Sequence, residues 1–431
     1  MTSIKKILLG LLLVLLIVVP PFLGLGWQNA LVNVLIASLF ALAFNLLNGQ
    51  AGLLSFGHAA YFGVGAFAAL HLMIAIEDGL FFPTPLLPLA GAGAGLLVGL
   101  IAGYFSTMRS GVYFALVTLA VAELVHSLAP HLEGIFGGEA GVSSMRMPWM
   151  GFNFGTILEV YYLTLGWVVL CGLGLWAYTR TPFGRLTLAL RDNEQRVKFL
   201  GYNAHYAKVI VFSVSAMIAG VAGALQAISN EAANYSLFAG TVSAQVVLQT
   251  FVGGSTVFFG PVIGATVFTL FSFLVSDLTR SWLFYQGLIF VLVMLYAPKG
   301  IGGVIDLHLR NRRQLDWAKM SGPYLAALGA GLLIVAGAVF LTESAEVLFG
   351  QEYEMARGAS MDGLPPYELF GLSWSPVNPL TWVLPLVLLS GGVFGLICAR
   401  RVIDQHWARG EKDGAALNAN ADATAKAGGT E

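Results

Sequence analysis

Ionisable side chains are rare inside the apolar runs of this chain, so the few that occur there are the first candidates for chemistry. Glu123 lies near the middle of the apolar stretch 112–130, and His126 follows three residues later on the same helical face. A carboxylate at mid-bilayer depth costs about 3 kcal/mol on insertion scales, so it faces protein or water. Two readings are open: a gate or pathway pair able to pass protons, or a polar clamp between helices. His58 opens another apolar run, behind Gly52, Ser55 and Gly57. Glycines and a hydroxyl ahead of an apolar helix mark backbone that bends or unwinds, which a membrane tolerates only where it is buried or lines a cavity. Close helix packing is the other use of such glycines, and His58 is either a pathway residue or a hydrogen-bonded interfacial histidine. A looser echo, Gly253-Gly254-Ser255-Thr256 ahead of Gly260-Pro261, stands in the second half with different spacing. Interrupted segments in both halves point to a midplane pathway, which adds Gly254 and Ser255 to the candidates.

A second kind of chemistry is suggested by the polar segment 180–203. Leu186, Leu190, Asn193, Val197 and Leu200 step by four and three, while Arg191, Gln195 and Lys198 mark another face. This pattern predicts an amphipathic helix, with Gly201 as its C-cap. Its apolar stripe must cover a surface, either the membrane interface or a groove on a partner protein. Other chemistries lack their residues. No Gly-Lys-Ser/Thr phosphate loop occurs, Cys171 and Cys398 both sit in apolar runs without metal-ligand spacing, and no nucleophile or carboxylate pair clusters on one face. A membrane-embedded enzyme is therefore disfavoured.

The elements that carry these residues follow from composition. The chain is 57% hydrophobic and 10% charged, with mean hydropathy +0.78, where soluble domains carry about 25% charged residues. The expected fold is an all-α polytopic membrane protein, a bundle of about eleven or twelve transmembrane helices with broken ones among them. Apolar runs of spanning length lie near 7–26, 29–48, 57–76, 86–107, 112–130, 156–178, 208–229, 257–276, 282–298, 322–342 and 379–399, and a shorter one at 241–252 suggests half of a broken helix. The first run ends in Pro20-Pro21 without a small-x-small cleavage site, so it is expected to stay as a transmembrane helix. Gly95, Gly99 and Gly103 form a ladder suited to helix packing. If the N-terminus is cytoplasmic and each run crosses once, all of the 22 Lys and Arg except Arg146, Arg280 and Arg357 fall on the cytoplasmic side. A net charge of −1 gives no footprint for nucleic acid. Three parts are expected: a permease domain over 1–309, an extension over 310–399 with two further helices around an acidic extracytoplasmic loop, and a cytoplasmic tail over 400–431 too poor in apolar residues to pack, hence disordered.

Five separated blocks, in order, carry a family resemblance. They are Gly52-Leu-Leu-Ser55-Phe-Gly57-His58-Ala-Ala-Tyr61-Phe-Gly63; Gly111-Val-Tyr-Phe-Ala-Leu-Val-Thr-Leu-Ala-Val-Ala-Glu123; Phe136-Gly-Gly-Glu-Ala-Gly141; Leu190-Arg-Asp-Asn-Glu-Gln-Arg196 with Leu200-Gly-Tyr-Asn203; and Tyr296-Ala-Pro-Lys-Gly300. Over about residues 28–305 the chain resembles the branched-chain amino acid ABC transporter permease family, in its LivM-type subunit. The resemblance implies a multi-pass bacterial inner-membrane protein with both termini cytoplasmic. It implies partners: a LivH-like second permease, two cytoplasmic ATP-binding subunits and an extracytoplasmic substrate-binding protein. By the same analogy the segment 184–203 is similar to the loop that couples to the ATPase, with Gly184, Arg185, Leu190, Arg191, Asp192, Asn193, Glu194, Arg196 and Gly201 as its residues. This segment departs from the wider Glu-Ala-Ala consensus of importers. The chain would bind no cofactor and catalyse no reaction, ATP and magnesium belonging to the partner subunits. A self-sufficient secondary transporter or channel using Glu123, His126 and His58 as a proton relay is the alternative reading. The substrate class runs from branched-chain amino acids to urea, amides or aromatic acids.

Overall fold

The computed structural model describes residues 3–311, 317–359 and 364–427, and their side chains except at 3–9, 12, 310–311, 317–319, 359 and 407–427. Among the described residues there are seventeen α-helices, several short 3-10 or π turns, one small hairpin and one long-range pair of two-residue strands, so the chain is an all-α polytopic membrane protein. Its contacts divide it into one unit built of residues 1–277 and 286–305 and a second built of 278–285 and 306–431.

The first unit is assembled from α1 (Ser3–Val18), α2 (Leu25–Asn45), α3 (His58–Glu77), α4 (Pro88–Ser106), α5 (Val112–Leu128), a single turn α6 (Glu133–Phe136) and α7 (Ile157–Tyr178). There follow α8 (Pro182–Asp192), α9 (Glu194–Phe199), α10 (Ala204–Asn230), α11 (Gly240–Gly253) and α12 (Gly260–Val275). Local chemistry sets their starts. Pro88 and Pro261 stand in the first turns of α4 and α12, where a missing N–H costs nothing. Thr156 and Glu159 form a reciprocal capping box on α7. Burial then selects the centre: 83% of the α2 span and 78% of the α10 span lie inside the unit, against 28% for α5 and α7. The core therefore forms around α2 and α10, with Phe44, Leu39, Tyr61, Phe212 and Tyr161 fully buried.

The glycines of α4 act as the ladder expected of them. A Cβ on Gly95 would lie 2.4 Å from the Ala216 carbonyl oxygen, and one on Gly99 2.4 Å from the Ala216 Cβ, so only glycine lets α4 approach α10 this closely. With 27 residues, α10 spans about 40 Å. Its first end meets Ser110, Glu194 and Thr107, and its last end meets Arg146, whose guanidinium donates to the Ile228 carbonyl and pairs with Glu231 at 3.2 Å. These are called the basic and acidic ends below. At the acidic end β1 (Val142–Ser143) pairs antiparallel with β2 (Ala232–Ala233).

Helices α13 (Trp282–Tyr296) and α14 (Gly300–Asn311) form a pair bent by 44°. In the second unit α15 (Trp317–Leu348) packs antiparallel on α17 (Pro379–Ala427), with α16 (Gln351–Ala359) and the hairpin β3 (Tyr367–Leu369)–β4 (Leu372–Trp374) between them in sequence. Tyr353, Tyr367, Phe340 and Leu369 form a small core there. Glu343 accepts from Tyr285 and Thr279, both at 2.6 Å, and Glu346 from Ser281 at 2.7 Å, so the acidic residues of the extension hold residues 279–285.

Three expectations change. Among the described residues eight helices are long and apolar enough to span, nine with the bent pair, where eleven or twelve were expected. The apolar runs exist, but α1, α12 and α13 have only 15–16 residues each and α11 has 14, because turns take the flanking residues. The single amphipathic helix expected over 184–203 is two helices. The Asn193 side chain accepts from the Arg196 N–H at 3.0 Å, capping α9 and ending α8. The last helix continues from 400 to 427, where the composition argued for disorder; its Ala, Glu and Lys residues favour helix locally without offering a core. Residues 428–431 of that tail lie outside the described residues.

Candidate functional site

The interrupted backbone predicted around Ser55 and His58 is present. Helix α2 ends in a π-helical turn over Leu46–Gln50, and residues 52–57 run without helix until α3 starts at His58. His58 stands beside Ser215, eleven residues into α10, about 16 Å from the basic end. The unwound stretch thus runs from the basic end into the interior of the unit, and its polar groups are met by protein. Phe56 N–H donates to Thr118 Oγ1 at 3.2 Å, Gly57 N–H to Ser55 Oγ at 3.3 Å, and Ala59 N–H to Ser243 Oγ on α11 at 2.9 Å. His58 is buried, with its Nε2 2.8 Å from Ser215 Oγ, whose own proton goes to the Ala43 carbonyl at 2.6 Å. Nε2 is therefore the protonated nitrogen, and the ring clamps α3 to α10 and α2.

Glu123 and His126 meet a different element. The Glu123 carboxylate lies against the first turn of α11, so close that a Cβ on Gly240 would be 2.9 Å from Oε1, and a helix N-terminus favours that charge. His126 Nδ1 is 3.3 Å from the Tyr235 carbonyl, and its ring packs on Tyr235. Among the described residues no hydrogen bond links this pair to His58, so the proton relay is not assembled in this conformation. Gly254 and Ser255 occupy the turn between α11 and α12 at the basic end. The Gly254 backbone packs on the Lys299 carbonyl, and the Ser255 carbonyl lies beside Gly49.

At the basic end the segment 182–203 is braced on three sides. Leu190, Val197, Ala204 and Ala207 form a small buried core with Phe183 and Leu186. Lys208 donates to Glu194 at 2.5 Å and to Ser110 at 2.7 Å, and Lys198 pairs with Glu194 at 3.0 Å. Burial raises the Glu194 carboxyl, but the hydrogen bonds and charges of Lys208 and Lys198 outweigh it and hold the group at about 2. Arg191 leaves this platform and donates to the Gly49 carbonyl in the π turn. Its stem packs on Gly52, which has φ +69 and would bring a Cβ to 2.9 Å from Arg191 Cγ. Gly184 packs on the Tyr178 carbonyl, Gly201 ends α9 with φ +85, and Arg185, Asp192 and Arg196 point to solvent. Phe199, 90% exposed, and Leu200, 67% exposed, project from the platform; Leu200 thus leaves the buried stripe it was expected to join.

One constellation was not among the sequence candidates. Asn29 and Asn33 on α2, Gln226 on α10, Gln245 and Gln249 on α11 and Ser272 on α12 line one cleft of about 390 Å³. Ile36, Phe40, Phe62 and Val246 complete its walls. The signal in the sequence was the i, i+4 spacing of Asn29/Asn33, Gln245/Gln249 and Ser272/Ser276, which puts each neutral pair on one face of an otherwise apolar helix. Among the described residues, no three His, Cys, Asp or Glu groups come close enough to hold a metal ion.

The sequence is similar to those of known transport proteins. Residues 27–298 match the protein family described as the branched-chain amino acid transport system / permease component. The chain is 28% identical over 322 residues to the high-affinity branched-chain amino acid transport system permease protein LivM of Salmonella typhimurium, covering 69% of this chain and 75% of that protein. LivM of Escherichia coli K12 gives the same identity and coverage. The autoinducer 2 import system permease protein LsrC of Escherichia coli O157:H7 is 26% identical over 241 residues, 51% of this chain and 66% of that protein. The family match takes in the broken α2–α3 connection, the braced segment 182–203 and the polar cleft alike, and the chain belongs to the permease family of branched-chain amino acid transport systems.

Proposed function

We propose that this chain is the membrane-spanning subunit of an ATP-driven importer that moves branched-chain or related amino acids into the cytoplasm, and that residues 182–203 are the surface on which the ATP-hydrolysing partner acts. The observation that carries the reading is the platform itself. Two short helices are fixed to α10 by Lys208 and Glu194, hold two large apolar side chains out toward solvent at Phe199 and Leu200, and reach the broken α2–α3 connection through Arg191. Exposed apolar residues on a rigid, polar-rimmed platform suit the groove of a partner protein. A push on α8 passes through Arg191 to Gly49 and Gly52, the point where α2 stops and the unwound stretch begins.

The orientation that puts this platform in the cytoplasm is supported by the basic residues, which favour the cytoplasmic side of short loops. In the complete transporter a LivH-like permease pairs with this chain, two cytoplasmic subunits hold ATP and magnesium, and a binding protein delivers substrate from outside. The chain itself conducts and performs no bond chemistry.

Phe199→Asp combined with Leu200→Asp tests the reading. Both side chains point to solvent, so the double variant is expected to insert and fold as the parent does while the ATP-binding subunits no longer co-purify with it and leucine uptake stops. Undiminished co-purification and uptake would refute the assignment of this surface.

A further inference from the structure

The span Val112–His131, which contains α5, has 20 residues. Glu123 is the twelfth of them, about 16 Å from one end and about 12 Å from the other. It is exposed on the first unit, and among the described residues it makes no side-chain hydrogen bond and no ion pair. Hydrocarbon is a poor neighbour for such a group, since a carboxylate at this depth costs about 3 kcal/mol on insertion scales. Nor does the polar cleft supply it with water, for no residue of α5 lines that cleft. The surroundings of Glu123 are those of a contact between membrane helices. Leu116, Ala120, Glu123, Leu124 and Ser127 are exposed at spacings of three and four, so they share one face of α5, while Phe114, Thr118 and Ala122 on the opposite face are buried. The face continues on α11. There the Glu123 carboxylate lies against Gly240, Ala244 stands one turn farther along the same side, and Thr241 and Ala244 are exposed. Small residues at Ala120, Gly240 and Ala244 let a neighbouring backbone come close, and Ser127 and Thr241 offer hydroxyls to it. On α4, by contrast, the exposed residues at membrane depth are Gly93, Leu97, Leu100 and Ile101, a surface that suits lipid.

Resting on the importer reading above, in which a different permease accompanies this chain, we infer that the face of α5 and α11 around Glu123 is where that second membrane-spanning subunit packs, and that the subunit meets the carboxylate with a hydrogen-bond donor at membrane depth. A second copy of this chain fits the face poorly. Paired through the same surface it would bring another carboxylate, and the face has no Lys or Arg to receive it. A different chain can carry the donor. One desolvated, hydrogen-bonded charge among small and apolar residues then fixes which helices pair and in which register, because any slip leaves the carboxylate in hydrocarbon.

The test uses the whole transporter in its membrane, with an epitope tag on the second permease. The photoreactive residue p-benzoylphenylalanine is placed singly at Leu116, Ala120 or Ser127 on the proposed face, and at Leu97 or Ile101 on the lipid-facing side of α4. Irradiation is expected to join this chain to the tagged permease from the α5 positions and from neither α4 position. Adducts to the tagged permease from α4 alone, adducts between two copies of this chain, or no protein adduct from the α5 face each overturn the inference. A second measurement addresses the charge. Complexes carrying Glu123→Leu or Glu123→Gln are captured through this chain in mild detergent, and the second permease recovered per chain is quantified. Losing a hydrogen bond to a charged group is expected to lower that recovery about tenfold for Leu, with Gln, which keeps an acceptor, in between. The amount of this chain in the membrane should not fall, because lipid accepts Leu more readily than Glu. Unchanged recovery in Glu123→Leu overturns the inference, and so does a fall in the amount of this chain with recovery per chain unchanged, since Glu123 would then serve the fold of this chain alone. All these outcomes leave the importer reading standing while the wild-type complex takes up leucine on addition of ATP. A wild-type chain that co-purifies with no second permease would count against that reading instead.

Discussion

Among the described residues, Arg191 makes the side-chain hydrogen bond that connects the platform 182–203 to the π turn of α2, and its removal can be worked through quantitatively. Its guanidinium donates to the Gly49 carbonyl while its stem lies on Gly52. A hydrogen bond from a charged donor contributes about 1.5–3 kcal/mol, and partial exposure puts this one near the lower figure. That value bounds the coupling free energy the contact can carry, and about 1.4 kcal/mol corresponds to a factor of ten. Arg191→Met keeps the stem and deletes the donor. In proteoliposomes holding the whole transporter, the number of leucine molecules imported per ATP hydrolysed should fall up to about tenfold, with the ATP-binding subunits still bound and the protein still folded. Arg191→Lys, which retains a charged donor, should recover part of the loss. Gly52→Ala attacks the same contact from the other side, since φ +69 costs a residue with a Cβ about 1–2 kcal/mol and that Cβ would displace the Arg191 stem. An import ratio unchanged in Arg191→Met refutes the reasoning. So does a loss of import that comes with loss of the ATP-binding subunits, because Arg191 would then be a docking residue and not a link.

Two further outcomes follow from the packing of the first unit. Gly95→Ala should destabilise and Gly93→Ala should not, although both lie on α4: a Cβ at Gly95 meets the Ala216 carbonyl oxygen at 2.4 Å, whereas nothing lies within 4 Å of one at Gly93. Overpacking costs about 1–3 kcal/mol and the helix preference for Ala returns up to about 1, so the thermal midpoints of the two variants in detergent should fall on opposite sides of the parent; equal midpoints would contradict the close approach of α4 and α10. Glu194→Gln should weaken the platform at neutral pH. Because the native carboxyl is held at about 2, below its ordinary 4.5, the stabilisation it provides is complete above about 4.5 and is lost as pH falls toward 2. The difference in thermal midpoint between Glu194→Gln and the parent should therefore be constant above pH 4.5 and shrink below it, and a difference that grows on acidification would show the sign to be wrong.

The spans were legible because hydropathy at the right length leaves few alternatives, and the run at 241–252 is the short helix α11 (Gly240–Gly253). The glycine spacing of α4 and the bent backbone ahead of His58 were legible for a related reason, since each is the cheapest local solution to a packing or unwinding problem. What could not be read was how turns trim the apolar runs, because Leu46 and Leu47 in the π turn and residues 257–259 after α11 are as apolar as the helices beside them. The break at Asn193 was signalled by the residue itself, a strong N-cap inside a polar segment, but the stepping of leucines around it gave a competing period that continued the helix.

The candidate site divides along the same physical line. Charged and imidazole groups inside apolar runs attract attention because each is costly alone, yet in the fold His58 is a clamp on Ser215 and Glu123 rests on the start of α11. The cleft residues carry no such cost singly, for one neutral amide on an apolar helix is ordinary. Asn29/Asn33, Gln245/Gln249 and Ser272/Ser276 acquire meaning only when α2, α11 and α12 turn their neutral stripes toward one another, and that is set by the contacts of these helices, which no spacing within one helix encodes.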